Sequence, residues 1–251
     1  MKILQKSKEK MIIEDEMDES LANAIRRSAL EIPILAVNEV EIYKNDSALY
    51  DEIIAHRLGL IPLVTDKTFT EQDKCTCKGK GCAKCSVQLK ISTKGKISVF
   101  SGDLKGKAKV VYDKMPIVIL AEGQELELVA TATLGKGINH TKYSPGLIYY
   151  RNLAEIEINK DCDACKKCIE VCPYSLIKVD KKAVIDNKEL WKCDLCEACV
   201  ETCKNHGKNA IKVKPGKDII FFVESWGQLE AKEVFTKAID SLKDNLKVFK
   251  K

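Results

Sequence analysis

Twelve cysteines fall in three groups of four along a chain of 251 residues. Their thiolates are the side chains best placed by type and spacing to do chemistry. Cys162, Cys165, Cys168 and Cys172 follow the spacing C-x2-C-x2-C-x3-C, with Pro173 directly after, and Cys193, Cys196, Cys199 and Cys203 repeat it. Such runs predict metal ligation rather than disulfides. Three thiolates two residues apart can wrap a loop around three corners of an iron–sulfur cubane, while the fourth serves the cluster of the other repeat. A pair of zinc knuckles is the competing reading, but this spacing suits a tetrahedral four-ligand site poorly. Cys75, Cys77, Cys82 and Cys85 differ, with spacing C-x-C-x4-C-x2-C and Gly79 and Gly81 between them. Four thiolates in so short a loop suit one tetrahedral Zn²⁺ stapling a segment without a core of its own, with free or redox-labile thiols as the alternative.

The repeated run is the bacterial-type ferredoxin run. That resemblance implies two [4Fe–4S] clusters, one on Cys162, Cys165, Cys168 and Cys203, the other on Cys193, Cys196, Cys199 and Cys172. Leu176 to Val179 and Ala183 to Ile185 supply the short hairpin such modules use. One departure is Lys204, which stands where proline usually follows the last cysteine. Proline there shapes a turn and ligates nothing.

The surrounding chain must position these groups. With 45% hydrophobic, 31% charged and 6% aromatic residues, it has a globular composition and an aliphatic core. The net charge of +5 decides little. Between Asp66 and Lys114, however, twelve lysines face five acids, a bias that suits a solvated surface better than nucleic-acid binding because arginine and interleaved aromatics are absent. No apolar run reaches transmembrane length and the N-terminus lacks a signal-peptide core, which predicts a cytoplasmic protein without membrane contact.

Periodicity predicts short strands at Ile3–Leu4 and Met11–Ile13, then a helix from Ser20 to Ile32 with Leu21, Ile25, Ala29 and Ile32 on one face. Pro33 ends it. A strand over Leu35–Tyr43 and a helix over Asp51–Gly59 follow. Strands are then predicted over Val87–Ile91, Ile97–Phe100, Ala108–Tyr112, Ile117–Leu120 and Leu126–Ala132, closing a mostly β domain near Tyr150. A strand at Asp218–Val223 precedes a last helix, with Ser225 and Gln228 matching a capping box. Ala231, Phe235, Ala238, Leu242, Leu246 and Phe249 form its apolar stripe, facing either its own domain or a partner. No phosphate loop, nucleophile elbow or Mg²⁺-binding carboxylate motif occurs, and His56, His140 and His206 lack ligand spacing.

Three segments carry a wider resemblance: residues 21–33 (LANAIRRSALEIP) with 35–42 (LAVNEVEI), residues 51–63 (DEIIAHRLGLIPL), and residues 135–145 (GKGINHTKYSP). They resemble the α-type subunits of RNA polymerase, whose archaeal D-type members often carry a ferredoxin insertion. The resemblance implies an α+β fold: a discontinuous dimerisation domain from both chain ends (residues 1–45 plus 214–251), a mostly β insert domain with the cysteine loop (46–156), and a ferredoxin-like Fe–S domain (157–213). It implies a chain without catalytic residues of its own that forms part of an enzyme, DNA-directed RNA polymerase. Its partners would be a smaller L-type subunit covering the terminal stripe, the large subunits meeting Asn23, Arg26 and Arg27, and small assembly subunits. Direct DNA contact is not expected. A ferredoxin-type electron carrier fused to a docking domain is the alternative, and the N-terminal segments count against it.

Overall fold

The computed structural model describes residues 1–66, 68–179 and 183–248. In chain order the elements are β1 (Lys2–Lys6), β2 (Lys10–Glu16), α1 (Glu19–Ser28), β3 (Ile34–Asn45), α2 (Asp51–Gly59), β4 (Ser86–Lys94), β5 (Ile97–Phe100), β6 (Lys105–Gly106), β7 (Pro116–Leu120) and β8 (Glu125–Gly135). β9 (Gly146–Ile158), α3 (Lys167–Glu170), β10 (Ile177–Val179), β11 (Ala183–Ile185), α4 (Ala198–Asn205), β12 (Ile211–Ser225) and α5 (Ala231–Lys247) complete the fold. Mixed α and β structure, richer in strands, agrees with the expected class. Among the described residues no helix is long and apolar enough to cross a membrane.

The chain forms two compact units. One comprises Met1–Gln5, Ile12–Asn23 and Tyr149–Phe222, and the other Lys6–Met11, Ala24–Ile148 and Val223–Lys251. In the first, a sheet of order β1-β2-β12-β9 buries Ile12, Ile220 and Phe222 against Leu4, Leu153 and Trp191. Tyr149 stacks on Phe222 with ring centroids 4.6 Å apart, and the Arg151 guanidinium lies 4.8 Å from the same ring while donating to the Trp191 carbonyl at 2.8 Å. β10 and β11 pair as the small hairpin, Ile177 opposite Ile185. Cys168, Ile177, Ala183, Val200 and Ile211 form a separate small core beneath the cysteine runs.

The second unit is built on an antiparallel sheet of order β3-β8-β4-β6. Strict alternation explains it: Val87, Leu89 and Ile91 of β4 are buried while Gln88, Lys90 and Ser92 face water. β8 answers with Leu126, Leu128, Ala130 and Ala132, in a register that sets Ser86 opposite Thr133 and Lys94 opposite Glu125. Ile54 and Leu58 of α2 cover this face. Leu128→Ala is expected to cost about 2–5 kcal/mol by leaving a cavity, measurable as a lower denaturation midpoint with an unchanged slope.

Several expectations need correction. Ala108–Tyr112 is not a strand. Val110 makes only an isolated bridge to Leu63, and the segment bonds instead to a loop, Val64 N–H to the Lys109 carbonyl at 2.8 Å and Val111 N–H to the Pro62 carbonyl at 2.9 Å. The edge beside β4 is taken by β6 because Gly106 allows close approach; a Cβ there would lie 2.4 Å from the Gln88 carbonyl oxygen. In α1 the buried face is Ala22 and Ile25, continued past the helix by Ala29 and Ile32, whereas Leu21 is exposed. The α-helix also stops at Ser28, a 3₁₀ turn over Ala29–Glu31 leading to Pro33. The β domain does close near Tyr150, the two units dividing between Ile148 and Tyr149, but β9 runs unbroken across that division from Gly146 to Ile158.

The last helix departs most. It begins at Ala231, so Ser225 and Gln228 cannot cap it. The Glu230 amide bonds to the Glu233 carboxylate at 3.4 Å instead, and Ser225 closes a turn by accepting from Gly227 N–H at 2.9 Å and donating to the Leu229 carbonyl. Ala231, Phe235 and Ala238 are buried within this chain, together with Val234, so they are core rather than a waiting partner face. Leu242 is half-buried, Leu246 is exposed, and Phe249 lies outside the described residues.

Candidate metal centres

The loop from Cys75 to Cys85 folds its four sulfurs into one cluster, all within 4.8 Å of one another. Cys75 to Cys82 is 3.6 Å, Cys77 to Cys85 is 3.5 Å and Cys82 to Cys85 is 3.8 Å. A tetrahedron with metal–sulfur bonds of about 2.3 Å has edges of about 3.8 Å, so the donor set is the size that one zinc ion requires. Local backbone chemistry makes this possible. Lys78, Gly79 and Gly81 all adopt positive φ. The Cys82 amide donates to the Cys85 sulfur at 3.3 Å, and the Cys82 carbonyl accepts from Cys85 and Ser86 N–H at 2.9 Å each. Cys75 and Cys85 are buried while Cys77 and Cys82 are partly open.

The eight remaining cysteines form no such tight group among the described residues. They line two cavities. One is bounded by Cys162, Cys165, Cys168 and Cys203; the other by Cys172, Cys193, Cys196 and Cys199. Sulfurs too widely separated for one ion, around cavities with hydrophobic walls, fit a multi-iron core better than zinc knuckles.

The two runs share one backbone plan. Ala164 and Lys166 in the first, and Leu195 and Glu197 in the second, all have φ between 57° and 65°. A left-handed conformation costs an L-residue about 1–2 kcal/mol, and it recurs here because the loops must turn their cysteines inward. Asp163 and Asp194, which cysteine spacing alone does not single out, hold these turns. Each Oδ1 accepts the amide of the cysteine two residues on, Cys165 and Cys196, at 3.3 Å. The repeated C-D-x-C is the signal in the sequence that could have revealed them. α3 and α4 then carry Cys168 and Val200 into the small core.

Electrostatics also favour a cationic guest. Burial, then the neighbouring thiolates of Cys193, Cys196 and Cys172, push the Cys199 thiol up to about 11. Burial, then the charges of Cys165, Cys162 and Cys203, push Cys168 up in the same way. With burial holding Cys168 and Cys199 toward the thiol form, loading a metal there must release protons.

Comparison with known proteins agrees with this arrangement. Residues 40–150 match the RNA polymerase Rpb3/RpoA insert domain, and residues 155–204 match a 4Fe-4S dicluster domain. The chain is 39% identical over 231 residues to DNA-directed RNA polymerase subunit Rpo3 of Archaeoglobus fulgidus, covering 89% of this chain and 86% of that one. It is 41% identical to the subunit Rpo3 of Methanothermobacter thermautotrophicus, covering 88% and 86%, and 35% identical to that of Thermococcus kodakarensis, covering 96% and 92%. The chain belongs to the Rpo3 family of RNA polymerase subunits. Within this Rpo3-family chain the module carrying the two cysteine runs is an iron–sulfur domain, and the Cys75–Cys85 loop lies inside the Rpb3/RpoA insert match. His56, His140 and His206 are all exposed and join no metal-ligating group among the described residues. Of the residues expected at a large-subunit contact, Arg27 is exposed while Asn23 and Arg26 are half-buried.

Proposed function

We propose that this chain is a non-catalytic assembly subunit of DNA-directed RNA polymerase, carrying two [4Fe–4S] clusters and one zinc ion. The observation that carries the reading is continuous similarity to Rpo3 subunits over about nine-tenths of the chain. The proposed cluster ligands are Cys162, Cys165, Cys168 and Cys203 for one, and Cys193, Cys196, Cys199 and Cys172 for the other. Cys75, Cys77, Cys82 and Cys85 are the proposed zinc ligands. The clusters and zinc stabilise parts of the chain too small to bury a sufficient core.

Residues 1–45 with 214–251 form the proposed dimerisation domain, 46–156 the insert domain and 157–213 the Fe–S domain. The smaller L-type partner meets the open end of the terminal helix. Leu242 and Leu246 offer the apolar surface there, and the Asn245 amide holds the Glu31 carboxylate at 2.9 Å beside it. Leu30 and Val248 are exposed as well. Asn23, Arg26 and Arg27 form the proposed large-subunit contact. The electron-carrier alternative draws no support from outside residues 155–204.

Mixing the purified chain with the L-type and large subunits tests the reading, with a stable complex on size-exclusion chromatography as the expected result. Leu246→Glu should weaken capture of the small partner by about tenfold or more, because truncating an interface anchor typically costs over 1 kcal/mol and burying a charge costs further. Its melting temperature should stay near that of the parent, since Leu246 is 53% exposed. A chain that binds no polymerase subunit would overturn the proposal.

A further inference from the structure

A cavity of about 280 Å³ lies in the second unit, away from every cysteine, with walls from Leu60, Pro62, Tyr112, Met115 and Trp226. Leu60, Tyr112 and Trp226 are 48%, 43% and 45% exposed. A tryptophan left that open needs a reason, and the backbone beneath it is rigid. Gly227 has φ +95°, and a Cβ there would lie 2.3 Å from Val111 Cγ1. Ser225 ties the turn from inside, and Trp226 N–H donates to the Pro145 carbonyl at 3.2 Å. The indole is therefore presented in place, which lowers the entropy cost of binding something against it.

The charged group on the wall says what that something carries. Among the described residues Lys142 meets no carboxylate: its ammonium touches Asn38 Oδ1 at 3.4 Å and the Tyr143 ring at 5.1 Å, and no acid lines the cavity. Gln228 is only 5% exposed, and its Nε2 donates to the Ser144 carbonyl at 3.3 Å while its Oε1 accepts no hydrogen bond. That acceptor is sealed from solvent, so the charge of Lys142 is what selects the occupant.

The geometry points to a docking site for an acidic peptide segment of another polymerase subunit, which seats an apolar side chain against Trp226 and sets a carboxylate on Lys142. The proposal rests on the polymerase-subunit reading but names a surface separate from the terminal helix and from Asn23, Arg26 and Arg27.

The test uses the polymerase reconstituted from its subunits, with the photo-crosslinking residue p-benzoylphenylalanine replacing Leu60, and mass spectrometry of the crosslinked peptide. The expected product is a subunit segment containing an apolar residue beside Asp or Glu. Trp226→Ala in the same background should cut the crosslink yield about tenfold. Lys142→Glu should cut it as well and abolish its salt dependence. Crosslinks to nucleic acid, to a second copy of this chain or to a basic segment would overturn the proposal, as would none at all in an assembled enzyme. Failure of the subunits to assemble even with the unsubstituted chain would instead count against the polymerase-subunit reading.

Discussion

Cys203→Ser is expected to cost the protein half its iron, and the half lost should be the cluster held by the other run. Cys203 lies on α4, only four residues beyond Cys199, yet it lines the cavity of Cys162, Cys165 and Cys168. The crossed arrangement predicts a pattern in double variants. Cys203→Ser combined with Cys165→Ser should lose no more iron than either change alone, because both strike one cluster. Cys203→Ser combined with Cys196→Ser should lose all of it. Anaerobic purification with iron and sulfide quantification checks both. If the uncrossed assignment held, the two double variants would exchange results.

The structural consequence should be large. Among the described residues the Fe–S module's core cluster is Cys168, Ile177, Ala183, Val200 and Ile211, one of them a proposed ligand, with Leu176 and Ala210 also buried. Against it stand five left-handed non-glycine residues at about 1–2 kcal/mol each. Without clusters the balance turns against folding. Hydrogen exchange should then show amides of α3, α4 and the β10–β11 hairpin losing protection, while β3, β4 and β8 keep theirs.

The second large effect is expected on removing the proposed zinc. Apparent binding free energies of about 10–16 kcal/mol are typical of structural zinc in small finger peptides. The loop between Gln72 and Ser86 has no core besides its own thiols, so Cys85→Ser should disorder it and abolish stoichiometric zinc. The sheet of β3, β8 and β4 should persist because Leu89, Ile91, Leu126 and Leu128 remain packed.

Binding should also depend on pH in a defined sense. Hydrogen bonding chiefly from Cys85 lowers the Cys77 thiol to about 7. At Cys85 the Cys82 amide works downward, but burial and the hydrogen bonds to Cys77 and Cys75 outweigh it and push that thiol up to about 12. Zinc needs both as thiolates. Affinity should therefore rise with pH, and above about 7 one proton fewer should be released per ion because Cys77 is already ionised. Competition with a chromophoric chelator on either side of neutrality measures this. Affinity independent of pH would exclude thiolate ligation.

The cysteine runs were readable because each run is a local object: its four thiols lie within eleven positions of one another, so spacing carries their chemistry, even though the proposed fourth ligand of each cluster comes from the other run. The same holds for α2, whose bounds Asp51 and Gly59 were read directly, and for the alternation of β4 and β8. The Lys105–Gly106 edge strand was not readable, because its cause is a close approach to Gln88 distant in sequence.

The amino-acid sequence by itself determined which residues can ligate metal, which segments alternate, and, through three polymerase-like segments, the family. Tertiary structure alone decided what covers each apolar face. Period marks Phe235 and Leu246 as one stripe, but packing within the chain buries the first and leaves the second in water. It likewise exposed Leu21, buried Ala22 and held Trp226 open beside Lys142. The physical reason is that periodicity encodes direction around an element, while burial depends on neighbours brought together by the rest of the chain.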